Sequence, residues 1–113
     1  MPRVYVPATL ATLGEYVAAG RVPAATERVV APADDEETEY AALMTAADLS
    51  AEAVSGDGRR VVITVETAGD GGGDLAWADV VAVHADTEPF TDPDDDLAWF
   101  ATQEVGDLLA GAG

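Results

Sequence analysis

The chain has a single histidine, His84, and Asp86 follows it at the spacing that places two side chains on the same side of a β-strand. A histidine oriented by a carboxylate could act as a general base or could begin a metal site. With Glu104, these two residues are our candidate catalytic residues for a small hydrolytic or metal-dependent enzyme.

A structural role for His84 is the favoured interpretation, with one hydrogen bond at the end of a strand. The chain has no second histidine and no cysteine that could complete a set of metal ligands. We therefore expect no metal and no cofactor, and the sequence leaves open whether the protein is an enzyme.

A second acidic motif lies near the C-terminus. Asp92, Asp94 and Asp96 copy the first three ligand positions of a calcium-binding loop. The match then ends, because Leu97 stands where the loop needs a glycine and Gln103 stands where it needs a glutamate. The pattern argues against calcium. The two serines of the chain do not lie in a Gly-x-Ser-x-Gly motif, so a serine hydrolase is excluded.

Large side chains with a polar group are the candidate binding residues, and these are Tyr5, Tyr40, Trp99 and Gln103. Aromatic residues of this kind often anchor protein interfaces, although they also occur at the edges of hydrophobic cores. Together with the composition, they favour a non-enzymatic binding or protein-interaction module. The small metal-dependent or hydrolytic enzyme is the alternative.

The charge of the chain limits its partners. It has 22 acidic residues and 5 basic residues, which gives a net charge of −17. Nucleic acids and anionic membranes would be repelled by this surface. An acidic surface could attract a basic protein partner. Self-association through the partly wet face of the sheet is the other expectation. The sequence shows no secretory signal and no apolar run of membrane-spanning length, and we expect a soluble cytoplasmic protein.

The element that must position these side chains is a strand predicted over residues 59–67. Val61, Ile63 and Val65 form a purely apolar face, whereas Val62, Thr64 and Glu66 form a mixed face. This alternation is typical of a strand with one face on a hydrophobic core and the other face partly in contact with water.

Two main helices are predicted around this strand. The first covers residues 10–19, with Thr9 as its N-cap and Gly20 at its end. The second covers residues 35–55, with Asp34 or Asp35 as its N-cap and several glutamates in its first turn. The apolar line of the second helix is predicted to consist of Tyr40, Leu43, Met44, Ala47, Ala51 and Val54.

The remaining pattern predicts strands over residues 3–6, 27–30, 78–85 and 97–101, and a short helix over 105–109. Pro7 is expected to end the first strand. Residues 1–113 are therefore expected to form one small α/β domain of the two-layer α+β type. Its predicted sheet is mixed and four- to five-stranded, with both main helices packed on one face and the order β-α-β-α-β-β-β-α.

Five stretches resemble an uncharacterised family of small, mostly actinobacterial proteins. They are RVYVPATLATL at 3–13, DDEETEYAALMTAA at 34–47, RRVVITVE at 59–66, ADVVAVHAD at 78–86 and LAWFATQEV at 97–105. Their order matches the family along most of the chain. The resemblance implies an actinobacterial, cytoplasmic origin and assigns no activity to any residue.

Overall fold

The structure is a computed structural model that describes residues 3–54, 58–67, 72–88, 92 and 94–112. Within these residues there are three helices: α1 (Leu10–Ala19), α2 (Glu36–Ala53) and α3 (Val105–Ala112). The strands are β1 (Arg3–Ala8), β2 (Arg21–Val22), β3 (Val29–Val30), β4 (Val61–Glu66), β5 (Leu75–Ala76), β6 (Val80–Ala85) and β7 (Ala98–Phe100). Ser55, the predicted end of the second helix, lies outside the described residues.

The described strands form a main sheet in the order β3-β1-β4-β6-β7, and β2 and β5 form a separate pair. This confirms the predicted α+β class and the central position of the strand that contains Ile63. The sheet is antiparallel throughout, so the predicted mixed sheet is wrong. Helix α2 connects β3 to β4, which run in the same direction. Because β1 lies between them and is antiparallel to both, these two strands do not pair with each other.

One face of the main sheet, which we call the valine face, carries Val4 and Val6 of β1 and Val61, Ile63 and Val65 of β4. All five side chains are fully buried, in one cluster with Leu13 of α1 and Leu108 of α3. The opposite face, which we call the groove face, carries Tyr5, Val62, Thr64, His84 and Trp99.

The two main helices lie on opposite faces of the sheet. Leu13 of α1 packs on the valine face, whereas Ala46 and Ala47 of α2 pack with Tyr5 and Val62 on the groove face. The prediction of two helices on one face is therefore wrong. The physical reason is that β4 is buried on both sides, since Val62 is as inaccessible as its neighbours on the valine face.

The face that α2 turns to the sheet agrees with the predicted apolar line at Leu43 and Ala47 and differs from it at Tyr40. Its buried residues are Ala42, Ala46, Ala47 and Ser50, while Tyr40 is 53% exposed. Ser50 fixes this orientation, because its hydroxyl donates to the carbonyl of Ala8 at 2.6 Å and accepts from the amide of Val61 at 2.9 Å. The helix therefore presents small side chains to the sheet and leaves Tyr40 at the surface.

The helix ends follow the local sequence signals. The Thr9 hydroxyl accepts a hydrogen bond from the amide of Thr12, and Thr12 caps the amide of Thr9 in return. Gly20 ends α1 with a φ of 75°, a conformation that favours glycine. Asp35 accepts a hydrogen bond from the amide of Thr38 at the start of α2. These caps confirm the predicted beginnings of both helices and the predicted end of α1.

Pro7 lies inside β1, where it is paired in register with Val62, and does not end the strand. The missing amide proton is tolerated because β3 pairs only with Val4 and Tyr5 of β1. Beyond these two residues, the side of β1 that faces away from β4 has no strand partner among the described residues, and proline is compatible with such an unpaired side.

Candidate functional site

A groove lies on the groove face, beside α2. The helix packs against β1, β3 and β4, which leaves the part of this face that belongs to β6 and β7 open. The exposed fractions of Val81 on β6 and Trp99 on β7 are 37% and 60%. The resulting cavity has a volume of about 660 Å³. We call it the sheet-face groove, and its lining includes Tyr5, Glu36, Tyr40, Thr64, His84 and Trp99.

Two exposed aromatic rings line the groove from different elements. Tyr40 comes from the first turns of α2, and Trp99 comes from the edge strand β7. The Tyr40 hydroxyl donates a 2.9 Å hydrogen bond to Asp96 Oδ1, which raises the pKa of the phenol because the bonded carboxylate disfavours a second negative charge. This hydrogen bond connects α2 to the segment that precedes β7 and fixes the direction of the Tyr40 ring.

His84 lies on the floor of the groove, paired with Val62 on one side and with Trp99 on the other. Its Nδ1 atom is 3.3 Å from the Thr64 hydroxyl, and Thr64 itself is buried. Burial lowers the pKa of His84 below its ordinary value of 6.5, and the positive charge of Arg3 lowers it further. At neutral pH the floor of the groove therefore carries an uncharged imidazole.

The groove already holds one guanidinium group, that of Arg3 in β1. Its Nε atom is 3.0 Å from Glu66 Oε1, and its Nη1 atom is 3.8 Å from Glu39 Oε1. The hydrogen bond to Glu66 is the main reason why the pKa of Arg3 is raised. Glu36 is a further carboxylate in the groove lining, and the described residues include no ion-pair partner for it. The groove thus has the chemistry to hold a second cation.

Comparison with known proteins identifies the family of the chain. The model of a family of unknown function, DUF6912, matches residues 2–109. The chain belongs to this family. No curated protein and no solved structure matches the chain. Membership of DUF6912 agrees with the resemblance to an uncharacterised family, and it assigns no activity to any residue of this DUF6912 domain.

The sheet-face groove brings together four of the residues predicted from the sequence, namely Tyr5, Tyr40, His84 and Trp99. Tyr5 is only 3% exposed and forms part of the floor. The other three contribute accessible surface. The lining of the groove does not include Asp86, Gln103 or Glu104.

Asp86 is part of a buried ion pair with Arg60. Arg60 is fully buried, and its Nε and Nη2 atoms each lie 2.9 Å from an oxygen of the Asp86 carboxylate. The Asp86 carboxylate also accepts the Arg60 backbone amide at 2.8 Å, and the Arg60 guanidinium donates to the carbonyl of Asp95 at 2.9 Å. The side-chain hydrogen bond to Asp86 is the main reason why the pKa of Arg60 is raised. Strand β6 ends at Ala85, so the alternation that would have aligned Asp86 with His84 stops one residue too early.

Glu104 caps a short helical turn that precedes α3. Its Oε1 atom accepts the amide of Ala101 at 2.9 Å, and Gln103 lies exposed in the same turn. The structure therefore places His84, Asp86 and Glu104 in three different settings: a groove, a buried ion pair and a helix cap.

The aspartates of the calcium-like motif make hydrogen bonds within the protein. Asp92 Oδ1 accepts the amide of Asp94 at 2.9 Å, and Asp96 Oδ1 accepts the Tyr40 hydroxyl. Pro93 lies outside the described residues. In the described part of the chain, no group of three or more histidine, cysteine, aspartate or glutamate side chains could hold a metal ion. The helices of this same part include none that is long and apolar enough to cross a membrane.

Sequence reasoning missed the charged residues of the groove lining, Arg3, Glu36 and Glu39, and also Glu66, which forms an ion pair with Arg3. The sequence contains a signal for one of them, because Glu36 lies four residues before Tyr40 and shares one side of a helix with it. The predicted apolar line assigned Tyr40 to the core, which hid that relation. The approach of Arg3 to Glu66 follows from the pairing of β1 with β4, which the spacing along the chain does not show.

Proposed function

We propose that this DUF6912 domain is a non-enzymatic binding module that holds a basic segment of a partner protein in the sheet-face groove. The observation that supports this most directly is the chemistry of the groove lining. Two exposed aromatic rings, Tyr40 and Trp99, stand in the same groove as the carboxylate of Glu36. Aromatic faces and carboxylates together attract lysine or arginine side chains.

The charge of the whole chain supports the same partner. A net charge of −17 gives a negative field around the protein, which speeds the encounter with a basic partner and opposes the approach of a second copy. Arg3 provides an internal precedent, since its guanidinium already lies between carboxylates of α2 and β4 at the groove.

The enzyme alternative receives less support from the geometry. His84 is in the groove, but the carboxylate of Asp86 is occupied by Arg60 and Glu104 caps a helix. The remaining hydrogen-bond partner of His84 is Thr64, which is 1% exposed and so is poorly placed to attack a substrate. The expected actinobacterial and cytoplasmic setting stays a prediction.

Titration with short defined peptides, followed by NMR, tests the proposal. The probe is an acetylated and amidated pentapeptide with one central arginine between valines, and its control carries citrulline, which has the same shape without the charge. We expect the arginine peptide to shift the signals of Tyr40, His84 and the Trp99 indole at about 0.15 M salt, where long-range charge effects are screened. The citrulline peptide should bind more weakly.

Matched variants locate the site. Trp99→Ala and Glu36→Gln should each weaken the binding of the arginine peptide by about 2–5-fold, the range for a cation–π contact or an exposed ion pair. Glu15→Gln removes the same charge from an exposed position on α1 and should leave the affinity unchanged. Equal weakening by Glu36→Gln and Glu15→Gln would mean that the peptide senses only net charge, and the proposed site would be wrong.

A further inference from the structure

Strand β7 is an edge of the main sheet with an unusual composition. It pairs with β6 on one side, and no described residue forms a strand against its other side. Its three residues, Ala98, Trp99 and Phe100, include no charge and no proline. Natural proteins commonly protect sheet edges with charged residues or proline, because an unprotected edge is a template for another strand.

The alternation of β7 connects this edge to the sheet-face groove. Trp99 is paired with His84 and lines the groove, whereas Phe100 is paired with Val83 and packs against the core of the valine face. An additional strand beside β7 would follow the same alternation. Its residue next to Trp99 would point into the groove, and the residues on either side of it would point to the opposite face of the sheet.

We propose that the partner segment binds in extended form along β7, as a sixth strand of the main sheet, with an apolar–basic–apolar sequence whose lysine or arginine enters the sheet-face groove beside Trp99. This inference rests on the proposed function and adds to it the conformation and the sequence pattern of the partner. Backbone hydrogen bonds to β7 supply affinity in this mode of recognition, and the alternate side chains supply specificity.

The edge is held in place before any partner binds. The carbonyl of Asp95 accepts a hydrogen bond from the buried Arg60, and the carboxylate of Asp96 accepts one from Tyr40. These two contacts fix the segment directly before β7, one to the start of β4 and the other to α2. A preformed edge reduces the ordering cost of binding, which matters for a strand of only three residues.

Charge complementarity selects the occupant. A second copy of the chain would bring a net charge of −17, and its own β7 would place another tryptophan, rather than a cation, opposite the groove. A basic segment instead supplies the charge that the lining carboxylate of Glu36 lacks among the described residues.

Backbone methylation separates strand addition from side-chain binding. In an extended peptide, successive amide groups point to opposite edges. Two versions of the same pentapeptide, with its central arginine between valines, are therefore made. One is N-methylated at the arginine amide and the other at a neighbouring valine amide. Both carry the same side chains and one methyl group. We expect one version to bind about 5–30-fold more weakly than the other, as the loss of one or two backbone hydrogen bonds implies.

Hydrogen exchange gives an independent readout on the intact protein. The bound parent peptide should slow the exchange of outward-pointing amides of β7. It should not slow those of β3, which is the opposite edge of the same sheet and serves as an internal control.

The possible outcomes distinguish a failure of strand addition from a failure of the proposed function. If both methylated peptides bind like the parent, while arginine still binds better than citrulline, strand addition is wrong and the proposed function stands. If neither the parent nor the citrulline peptide perturbs the groove, the proposed function fails as well. If light scattering on the protein alone shows a dimer whose β7 amides are protected, the occupant of the edge is a second copy and the inference is overturned.

Discussion

The valine face and the groove face of the main sheet are built from the same strands but differ in what covers them. On the valine face, Val61, Ile63 and Val65 are fully buried in one cluster with side chains of α1 and α3. On the groove face, α2 covers only part of the sheet, and Trp99 remains 60% exposed.

The comparison shows that a small domain can combine a closed face with a partly open one. The valine face contains only apolar side chains and provides the burial that holds the fold together. The groove face mixes Val62 with polar residues such as Thr64 and His84, and it leaves a cavity of about 660 Å³. The larger of the two buried clusters lies on the valine face, so the proposed binding site can occupy the open part of the groove face.

The largest expected effect comes from placing a charge on each face in turn. Ile63→Asp would bury a carboxylate without a partner on the valine face, at a cost of several kcal/mol that approaches the whole stability of about 5–15 kcal/mol. We expect this variant not to fold. Val81→Asp places the same side chain at an exposed position in the groove and should fold. Melting curves followed by circular dichroism test whether each variant folds. A cooperative melt of Ile63→Asp near that of the wild type would contradict the proposed difference between the two faces.

The second effect concerns the ion pair that anchors the segment before β7. Asp86→Ala leaves the fully buried guanidinium of Arg60 without its carboxylate, and we expect a loss of about 3–5 kcal/mol in urea unfolding. Arg21→Met breaks an exposed pair with Asp74 at 3.8 Å and should cost less than about 1 kcal/mol. Similar losses in the two variants would show that the Arg60–Asp86 pair does not hold this end of the sheet.

The attachment of α2 to the groove face gives a third, smaller effect. Ser50→Ala leaves the carbonyl of Ala8 and the amide of Val61 without the bonds that the hydroxyl makes, so about 1–3 kcal/mol should be lost. Thr45→Ala on the same helix removes an exposed hydroxyl and should change stability by less than about 0.5 kcal/mol. Chemical denaturation of both variants measures the difference, and an unchanged Ser50→Ala midpoint would contradict the bridging role.

A substitution in α1, the helix that packs on the valine face, should stabilise the protein. A Cβ atom added at Gly14 would meet no heavy atom within 4 Å, so Gly14→Ala should gain about 0.5–1 kcal/mol from helix propensity. Gly20→Ala should instead lose about 1–2 kcal/mol, because the φ of 75° at this helix end is strained for alanine. Thermal melting curves should therefore show a raised midpoint for Gly14→Ala and a lowered midpoint for Gly20→Ala. A loss in Gly14→Ala would show that α1 packs more closely there than the structure indicates.

The smallest effect is a pH dependence that arises in the groove. The pKa of His84 is lowered in the folded protein, so the unfolded chain takes up the proton first and stability should fall as the pH decreases through the ordinary histidine pKa of 6.5. His84→Gln should remove this part of the dependence. NMR titration of the imidazole should give a midpoint below 6.5. A midpoint above that value would mean that nearby carboxylates outweigh burial and Arg3.

The elements that could be predicted are those encoded by residues close together in the chain. Thr9 and Gly20 begin and end α1 through contacts within a few residues, and Asp35 begins α2 in the same way. The alternation around Ile63 identified the central strand because strand geometry repeats every two residues. In each case the deciding interaction is local.

The errors concern relations between distant segments. The orientation of α2 depends on Ser50, whose hydroxyl bonds to strands 42 and 11 residues away in the chain. The groove needs Arg3, Glu36, His84 and Trp99 to converge from four elements, and strand pairing together with the packing of α2 on the sheet brings them there. The carboxylate of Asp86, which was predicted to act with His84, is bonded to Arg60, and the spacing along the chain gives no sign of this contact.

By itself, the amino-acid sequence determined the acidity of this protein, the beginnings of both main helices, the end of α1 and a mid-chain strand with three core side chains. These features depend only on composition and on near neighbours, through charge, capping and strand alternation. Only the tertiary structure decided that the main helices take opposite faces of an antiparallel sheet and that α2 leaves one part of its face open. Those features depend on which strands pair and how closely a helix of small residues can approach them, and neither is encoded in any single stretch of the chain.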